Sequence, residues 1–308
     1  MKYAMHPAVW EESAAALDAA GHTHVALSEN PDLLFFAGKT EDFPEDLPES
    51  VQLIQVPFAG VDGILDLIAD THSKYGVRWS NAAGVYDSTV AESTIGLLLA
   101  QLHAHKRVTL AKSWDVRDEA EANTTFLFED STVAIIGAGG IGKKLISMLS
   151  GFGPKIIAVN RSGKPVEGAD EVYTFDQIDE VWPAADYFLM LAPLTPETHH
   201  MVNADALAKM PKHAVVVNVG RGPLVDTDAL TEALKDGTIA GAGLDVTDPE
   251  PLPDGHPLWD EVNCIITPHL ANPPYSVRNR IGAHTVEVLK ALEAGEEIPT
   301  EVDPKLGY

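Results

Sequence analysis

Cysteine is almost missing from this chain. One stands in 308 residues, Cys264 within "CIITPH", so no internal disulfide can form, and its strand-like neighbours mark an inert core thiol. Positive charge is scarce too. There are 21 Lys and Arg against 46 Asp and Glu, a formal charge of −25. A field of that sign repels nucleic acid and anionic membranes. No apolar run approaches the ~20 residues that a membrane span needs. The opening "MKYAMHPAVWEES" has neither the apolar stretch nor the cleavage site of a secretion signal. Internal repeats, low-complexity linkers and zinc-ligand spacings are also lacking. These absences lead to a cytoplasmic expectation with no nucleic acid, membrane or metal among the partners. What remains is ordinary globular material, 45% hydrophobic and 22% charged, enough for about two domains.

The first hundred residues alternate strand-like runs ("KYAMHP", "HTHVALS", "LLFFAG", "VQLIQVPFAG", "VRWSNAAG") with helix-like ones that end at glycine ("AVWEESAAALDAAG", "GILDLIADTHSKYG"). Such alternation implies a parallel sheet. "STVAESTIGLLLAQLHAHKRV", residues 88–108, reads as one long helix able to pass between domains. Seven further strand-like runs follow, from "TVAIIGAG" to "CIITPH", as a doubly wound sheet requires. The helix near "SVRNRIGAHTVEVLKALEAG" comes after that sheet and is expected to return to the first domain. The expected fold class is α/β, with two doubly wound parallel-sheet domains. Residues 1–100 plus 276–308 form the substrate-binding domain and 101–275 the dinucleotide-binding Rossmann domain, inserted into a flavodoxin-like partner.

"TVAIIGAGGIGKKLISMLSGFG" carries Gly137, Gly139 and Gly142 as G-x-G-x-x-G, after a strand and at the opening of a helix. The first glycine permits the turn, the second lets backbone approach a pyrophosphate, and the third lets helix pack on strand. The helix N-terminus offers N–H groups and a positive dipole end to phosphate. Gly137, Ala138, Gly139, Gly140, Ile141 and Gly142 are therefore cofactor candidates, while Lys144 is expected to point to solvent. The next strand, "KIIAVNRSG", ends in Asn160, Arg161 and Ser162 without a carboxylate. An amide, a guanidinium and a hydroxyl suit a ribose 2′-phosphate, so NADP is preferred over NAD.

Three later strands end in residues of complementary chemistry. "AVVVNVGRGPLVD" brings Arg221 between two glycines, "AGLDVTDPEPL" brings Asp245 and Glu250, and "CIITPHLANP" brings His269. In an open α/β sheet the ligand lies beyond the carboxyl ends of the strands. A cation can bind a substrate carboxylate and polarise a ketone. An imidazole can pass a proton to the forming alkoxide, and a carboxylate can hold that ring.

Over nearly its whole length the chain resembles the D-isomer-specific 2-hydroxyacid dehydrogenase family. The matching motifs are "AGVDGI", "NAAGVYDSTVAESTIG", "GAGGIG", "LAPLTPETHHMVN", "NVGRGPLVD", "GLDVTDPEPLP" and "TPHLA", in order and spacing. The resemblance implies Arg221, Glu250 and His269 as the catalytic set. It gives Ala59 and Gly60 backbone N–H groups for the substrate carboxylate from across the cleft. It also implies cofactor contacts at Ala192, Pro193, Thr198, Val219, Gly220, Asp245 (on the nicotinamide carboxamide) and His269. The implied activity is hydride transfer from NAD(P)H to a small 2-keto acid of the glyoxylate or hydroxypyruvate type, giving the D-2-hydroxy acid. An NAD-linked phosphoglycerate or D-lactate-type dehydrogenase stays open, as does a non-catalytic dinucleotide sensor. With only "EEIPTEVDPKLGY" after the last helix, no C-terminal regulatory domain of the kind in the longer phosphoglycerate dehydrogenases is expected. Trp114 lies in a stretch that the family uses as an arm to a second subunit, which implies a homodimer; packing on its own domain is the alternative. Phe36 and Phe58 either border the substrate or fill the core. His103 and His105 face different ways on the long helix, His199 and His200 are solvated, and His256 supports its loop.

Overall fold

Twelve short strands, most of them apolar, form among the described residues of the computed structural model, 1–128, 130–298 and 300–303. They are β1 Lys2–His6, β2 Thr23–His24, β3 Leu33–Phe36, β4 Leu53–Gln55, β5 Arg78–Ser80, β6 Thr132–Ile136, β7 Lys155–Val159, β8 Glu171–Tyr173, β9 Tyr187–Met190, β10 Val215–Asn218, β11 Gly241–Leu244 and β12 Cys264–Ile266. The helices are α1 Glu11–Ala19, α2 Leu65–Tyr75, α3 Asp87–Leu102, α4 His105–Ala111, α5 Arg117–Asn123, α6 Gly140–Leu149, α7 Ile178–Val181, α8 Ala204–Lys209, α9 Thr227–Asp236, α10 Pro257–Asp260 and α11 Pro274–Ala294. The chain divides into two compact units, Met1–Tyr86 joined by the segment from Asn272, and Asp87–Ala271.

The first unit holds a parallel sheet in the order β2-β1-β3-β4-β5, the flavodoxin-like arrangement. Leu33, Leu34, Phe35 and Phe36 are all fully buried, as expected of a strand covered on both faces. Gly282 lets α11 lie against α1, because a Cβ there would come within 2.8 Å of Ser13 Cα. Ser13 Oγ then donates to the Arg278 carbonyl at 3.0 Å.

The second unit holds seven parallel strands in the order β12-β11-β10-β9-β6-β7-β8, the Rossmann order with one strand added. Register pairs Ile136 with Val159 and Met190, Met190 with Asn218, and Asn218 with Leu244. The carboxyl ends are therefore level, and the segments after them share one edge.

Three expectations change. The first division falls between Tyr86 and Asp87 rather than at 100, because α3 packs on the second sheet. The small residues of β11 make room for it: an added Cβ on Gly241 would meet Gln101 Nε2 at 2.1 Å, and one on Gly243 would meet Leu97 Cβ at 3.1 Å. The long helix over 88–108 is also broken. Ala104 adopts the left-handed conformation (φ 51°) between α3 and α4, and Leu102 O accepts from Thr125 N (2.8 Å) instead of continuing the helix. The break brings the His103 and His105 rings to 5.7 Å, so they do not face apart.

Candidate active site

The turn after β6 is built for close backbone approach. Gly137 has φ +102°, and a Cβ there would strike Ala192 N at 2.5 Å. A Cβ on Gly139 would meet nothing within 4 Å, so that face is open. Gly142 packs on Ile135, as the third glycine should. Helix α6 has no side-chain cap at its N-terminus, so its first N–H groups have no side-chain partner there. An uncapped helix end beside an open glycine fits a dinucleotide pyrophosphate. Lys143 and Lys144 are both exposed. Gly140 has a local reason of its own: a Cβ would meet Asp87 Oδ2 at 2.5 Å. Burial pushes the Asp87 carboxyl above its ordinary range, and nothing in the G-x-G-x-x-G spacing announces that neighbour.

Beyond β7, Asn160 spends its side chain on the turn. Its Oδ1 accepts from Ser162 N (3.0 Å) and Ser162 Oγ (3.2 Å), and its Nδ2 donates to Lys164 O (3.0 Å). Arg161 and Ser162 are exposed on that turn. After β9, Thr198 is buried and staples the Ala192–Thr198 segment: its Oγ1 accepts from Thr195 N (2.8 Å) and donates to Pro193 O (2.7 Å).

Arg221 follows β10 on a turn held by fully buried Asn218. The Asn218 Nδ2 donates to Arg221 O (2.8 Å), and its Oδ1 accepts from Gly220 N (3.1 Å). Arg221 Nη1 reaches the Gly220 carbonyl at 2.8 Å. The glycines beside Arg221 serve packing as well as access. A Cβ on Gly220 would lie 2.9 Å from Leu224 Cδ1, and one on Gly222 only 1.9 Å from Thr247 O. The Arg221 turn thus rests directly on the loop after β11.

That loop meets the end of β12. Asp245 is buried, and both of its oxygens are engaged. Oδ1 accepts from Thr267 Oγ1 (2.5 Å) and Leu270 N (2.8 Å), and Oδ2 accepts from Ala271 N (2.9 Å). The carboxylate therefore holds the Thr267–Ala271 turn. Within it His269 takes a left-handed backbone (φ 54°) and donates its N–H to Asp245 O at 2.8 Å. Its ring presents Nδ1 to Glu250 Oε1 at 2.6 Å, with both side chains about half exposed (56% and 44%). One ring nitrogen is oriented by a carboxylate, and the other is available to exchange a proton.

The family model described as D-isomer specific 2-hydroxyacid dehydrogenase, NAD binding domain, matches residues 94–271. An uncharacterised protein from the proB 3′ region of Corynebacterium melassecola is 51% identical over the full length of both chains. A glyoxylate reductase of Thermofilum pendens is 33% identical over 85% of this chain and 77% of its own. An NADPH-dependent glyoxylate/hydroxypyruvate reductase of Sinorhizobium meliloti, solved with NADP and malonate, superposes with a TM-score of 0.74. It is 27% identical and covers 98% of this chain and 97% of that one.

The chain belongs to the D-isomer specific 2-hydroxyacid dehydrogenase family. As a family member it is an NAD(P)-dependent oxidoreductase of 2-keto and 2-hydroxy acids. Ala59 and Gly60 lie in the first unit. There Asn81 Nδ2 donates to Ala59 O (2.9 Å), Ala82 N donates to Phe58 O (3.0 Å), and Tyr86 Oη bonds the Pro57 carbonyl; Gly60 is exposed. Phe36 is a core residue, fully buried with its ring edge-on to Phe43 at 5.1 Å, and Phe58 packs partly buried against the same core. Trp114 is 88% exposed, which removes the alternative that it packs on its own unit. Cys264 is buried, and burial pushes its thiol up to about 12, so it stays protonated and inert. Beside it Lys106 Nζ donates to the carbonyls of Trp259, Glu261 and Cys264 (2.7, 2.7 and 2.9 Å), anchoring α10 and β12. His256 caps α10 by accepting from Leu258 N at 3.3 Å, the loop role expected of it. No helix among the described residues is long and apolar enough to cross a membrane.

Proposed function

We propose that the protein reduces a small 2-keto acid, glyoxylate or hydroxypyruvate, to the D-2-hydroxy acid with NADPH. The observation that carries this reading is the His269–Glu250 pair at 2.6 Å, on the same sheet edge as Arg221 and the open glycine turn. The reduced nicotinamide supplies the hydride. Arg221 binds the substrate carboxylate and draws electron density from the C2 carbonyl. His269 Nε2 gives its proton to the oxygen as the alkoxide forms, and Glu250 at Nδ1 fixes the ring in place for that transfer. Ala59 and Gly60 keep the substrate-carboxylate role that the resemblance gives them. Asp245 acts as a positioning residue, since its hydrogen bonds already go to the turn that bears His269.

For NADPH, the support is the absence of a carboxylate at the end of β7. Asn160 arranges a turn on which Arg161 and Ser162 are displayed, and a guanidinium with a hydroxyl suits a 2′-phosphate. The S. meliloti relative was solved with NADP. The exposed apolar side chains Leu110, Trp114, Phe126 and Phe128 (57, 88, 52 and 56%) support a homodimer that covers this surface with a second copy. Light scattering returning a monomer mass would refute it. A lone buried thiol and nicotinamide chemistry fit the cytoplasm.

The direct test follows loss of reduced-nicotinamide absorbance with NADPH and NADH against glyoxylate, hydroxypyruvate, pyruvate and 3-phosphohydroxypyruvate. Fast NADPH turnover with the first two is expected. Preference for NADH with the phosphorylated acid would overturn the substrate and cofactor together.

A further inference from the structure

His199 is exposed, as expected, and with partly exposed His200 it forms a cluster with two carboxylates. Their rings stack with centroids 4.0 Å apart and 26° between planes. His200 Nε2 lies 3.3 Å from Asp248 Oδ2, and its Nδ1 lies 3.9 Å from Asp226 Oδ2. Ligand atoms of His199, His200 and Asp248 all fall within 4.8 Å of one another. Each carrier segment is held separately. His200 donates its backbone N–H to Pro223 O at 2.7 Å, from a left-handed conformation (φ 50°). Thr227 Oγ1 donates to Asp248 O at 2.7 Å. Asp226 caps α9 by accepting from Ala229 N at its Oδ1 (3.0 Å), and its other oxygen is the one nearer His200.

We propose that His199, His200 and Asp248 bind one divalent cation of the zinc class, with Asp226 orienting the His200 ring from behind. Two imidazoles and a carboxylate are a donor set such ions take, and a water completes the tetrahedron. Magnesium and calcium, which favour all-oxygen shells, are poorly served. Metal–ligand bonds of about 2.0–2.2 Å place tetrahedral ligand atoms roughly 3.3 Å apart. The His200–Asp248 pair has that spacing already. Only exposed His199 has to swing inward, on the order of an ångström, to complete the site. Asp226 Oδ2 stands 3.9 Å from the second ring nitrogen, and a small turn of its side chain gives the carboxylate–histidine bond usual behind a ligand imidazole. The site is separate from the His269–Glu250 pair and stands whether or not the reductase reading does. Asp248 nevertheless lies two residues before Glu250. A bound ion would therefore tie the 199–200 turn to the loop that carries the catalytic carboxylate.

The test is direct binding. Chelator-stripped full-length protein is titrated with Zn²⁺ in competition with a chromophoric chelator, with and without dinucleotide. One Zn²⁺ per chain is expected, undisturbed by excess Mg²⁺. His199→Ala and Asp248→Asn should each weaken it at least ~10-fold. Both side chains are partly or largely exposed, and unchanged thermal unfolding in the apo state would verify that the variants fold. Absence of stoichiometric binding overturns the proposal. So does a site that survives His199→Ala unweakened, or one lost instead on His103→Ala.

Discussion

Gly222→Ala isolates the contact between the Arg221 turn and the loop that leads to Glu250. The added methyl would sit 1.9 Å from Thr247 O, 2.3 Å from Thr247 C and 2.9 Å from Asp248 N, all backbone atoms that no rotamer change can move. Ordinary contact begins near 3.4 Å, so the two segments must part by about 1.5 Å. Arg221 rides on one of them, and Thr247 and Asp248 lead to Glu250 on the other. A displacement of roughly 1 Å in a reacting constellation costs on the order of 10²-fold in rate. The overpacking itself costs about 1–3 kcal/mol of stability. Steady-state kinetics with the preferred 2-keto acid and thermal unfolding read both effects. Gly96→Ala is the control, because a Cβ on that exposed α3 position meets nothing within 4 Å. It should keep full activity and gain up to ~1 kcal/mol from helix propensity. If Gly222→Ala keeps wild-type kcat/KM and Tm, the two loops are not a rigid unit and the reasoning fails.

Two further outcomes are expected. Arg161→Ala should raise KM for NADPH far more than for NADH, and equal losses would show that Arg161 does not read the 2′-phosphate. Burial lowers His284 below the ordinary 6.5, with Nε2 3.1 Å from both Asn81 O and Thr300 Oγ1, so the unfolded chain takes up a proton more readily than the fold does. Its contribution is complete above 6.5 and is lost as pH falls through the depressed folded value. Tm measured from about pH 8 down to 5 should drop less steeply in His284→Gln than in the native protein, and parallel curves would refute the assignment.

The strands were legible because fully buried parallel strands are short, continuous apolar runs bounded by glycine and proline, and the seven runs from "TVAIIGAG" to "CIITPH" became β6–β12. Strand ends were legible for the same reason, which is why Arg221, Asp245 and His269 could be assigned to one edge. The break at Ala104 was not, since alanine is a strong helix former and only the Thr125 bond to Leu102 O explains the turn. Asp87 beside Gly140 was hidden because the two are 53 positions apart and no local pattern couples them. The His200–Asp248–Asp226 cluster was hidden likewise: its members come from three separate loops, without the regular spacing of a metal motif.

A polar residue at the end of a buried strand can do either of two jobs, and hydrogen-bond geometry separates them where sequence does not. Asn218 and Asp245 are buried and spend their side chains on structure, Asn218 on the backbone of its own loop and Asp245 on the neighbouring Thr267–Ala271 turn. His269 and Glu250 are half exposed, and the interaction they share leaves a ring nitrogen free to meet substrate. This distinction predicts different failures. In Asp245→Asn an NH₂ replaces one acceptor oxygen, and that amide then faces either the Leu270 N–H or the Ala271 N–H. A buried donor left unsatisfied costs about 1–3 kcal/mol. Stability and kcat should therefore fall together as the turn that bears His269 loosens. His269→Gln removes the proton donor without touching that turn, so kcat should fall by roughly 10²–10⁴-fold. Tm and the dinucleotide Kd should stay near native. A His269→Gln variant that unfolds early, or an Asp245→Asn variant that loses turnover at native Tm, would reverse the two assignments and make Asp245 the residue that meets the ligand.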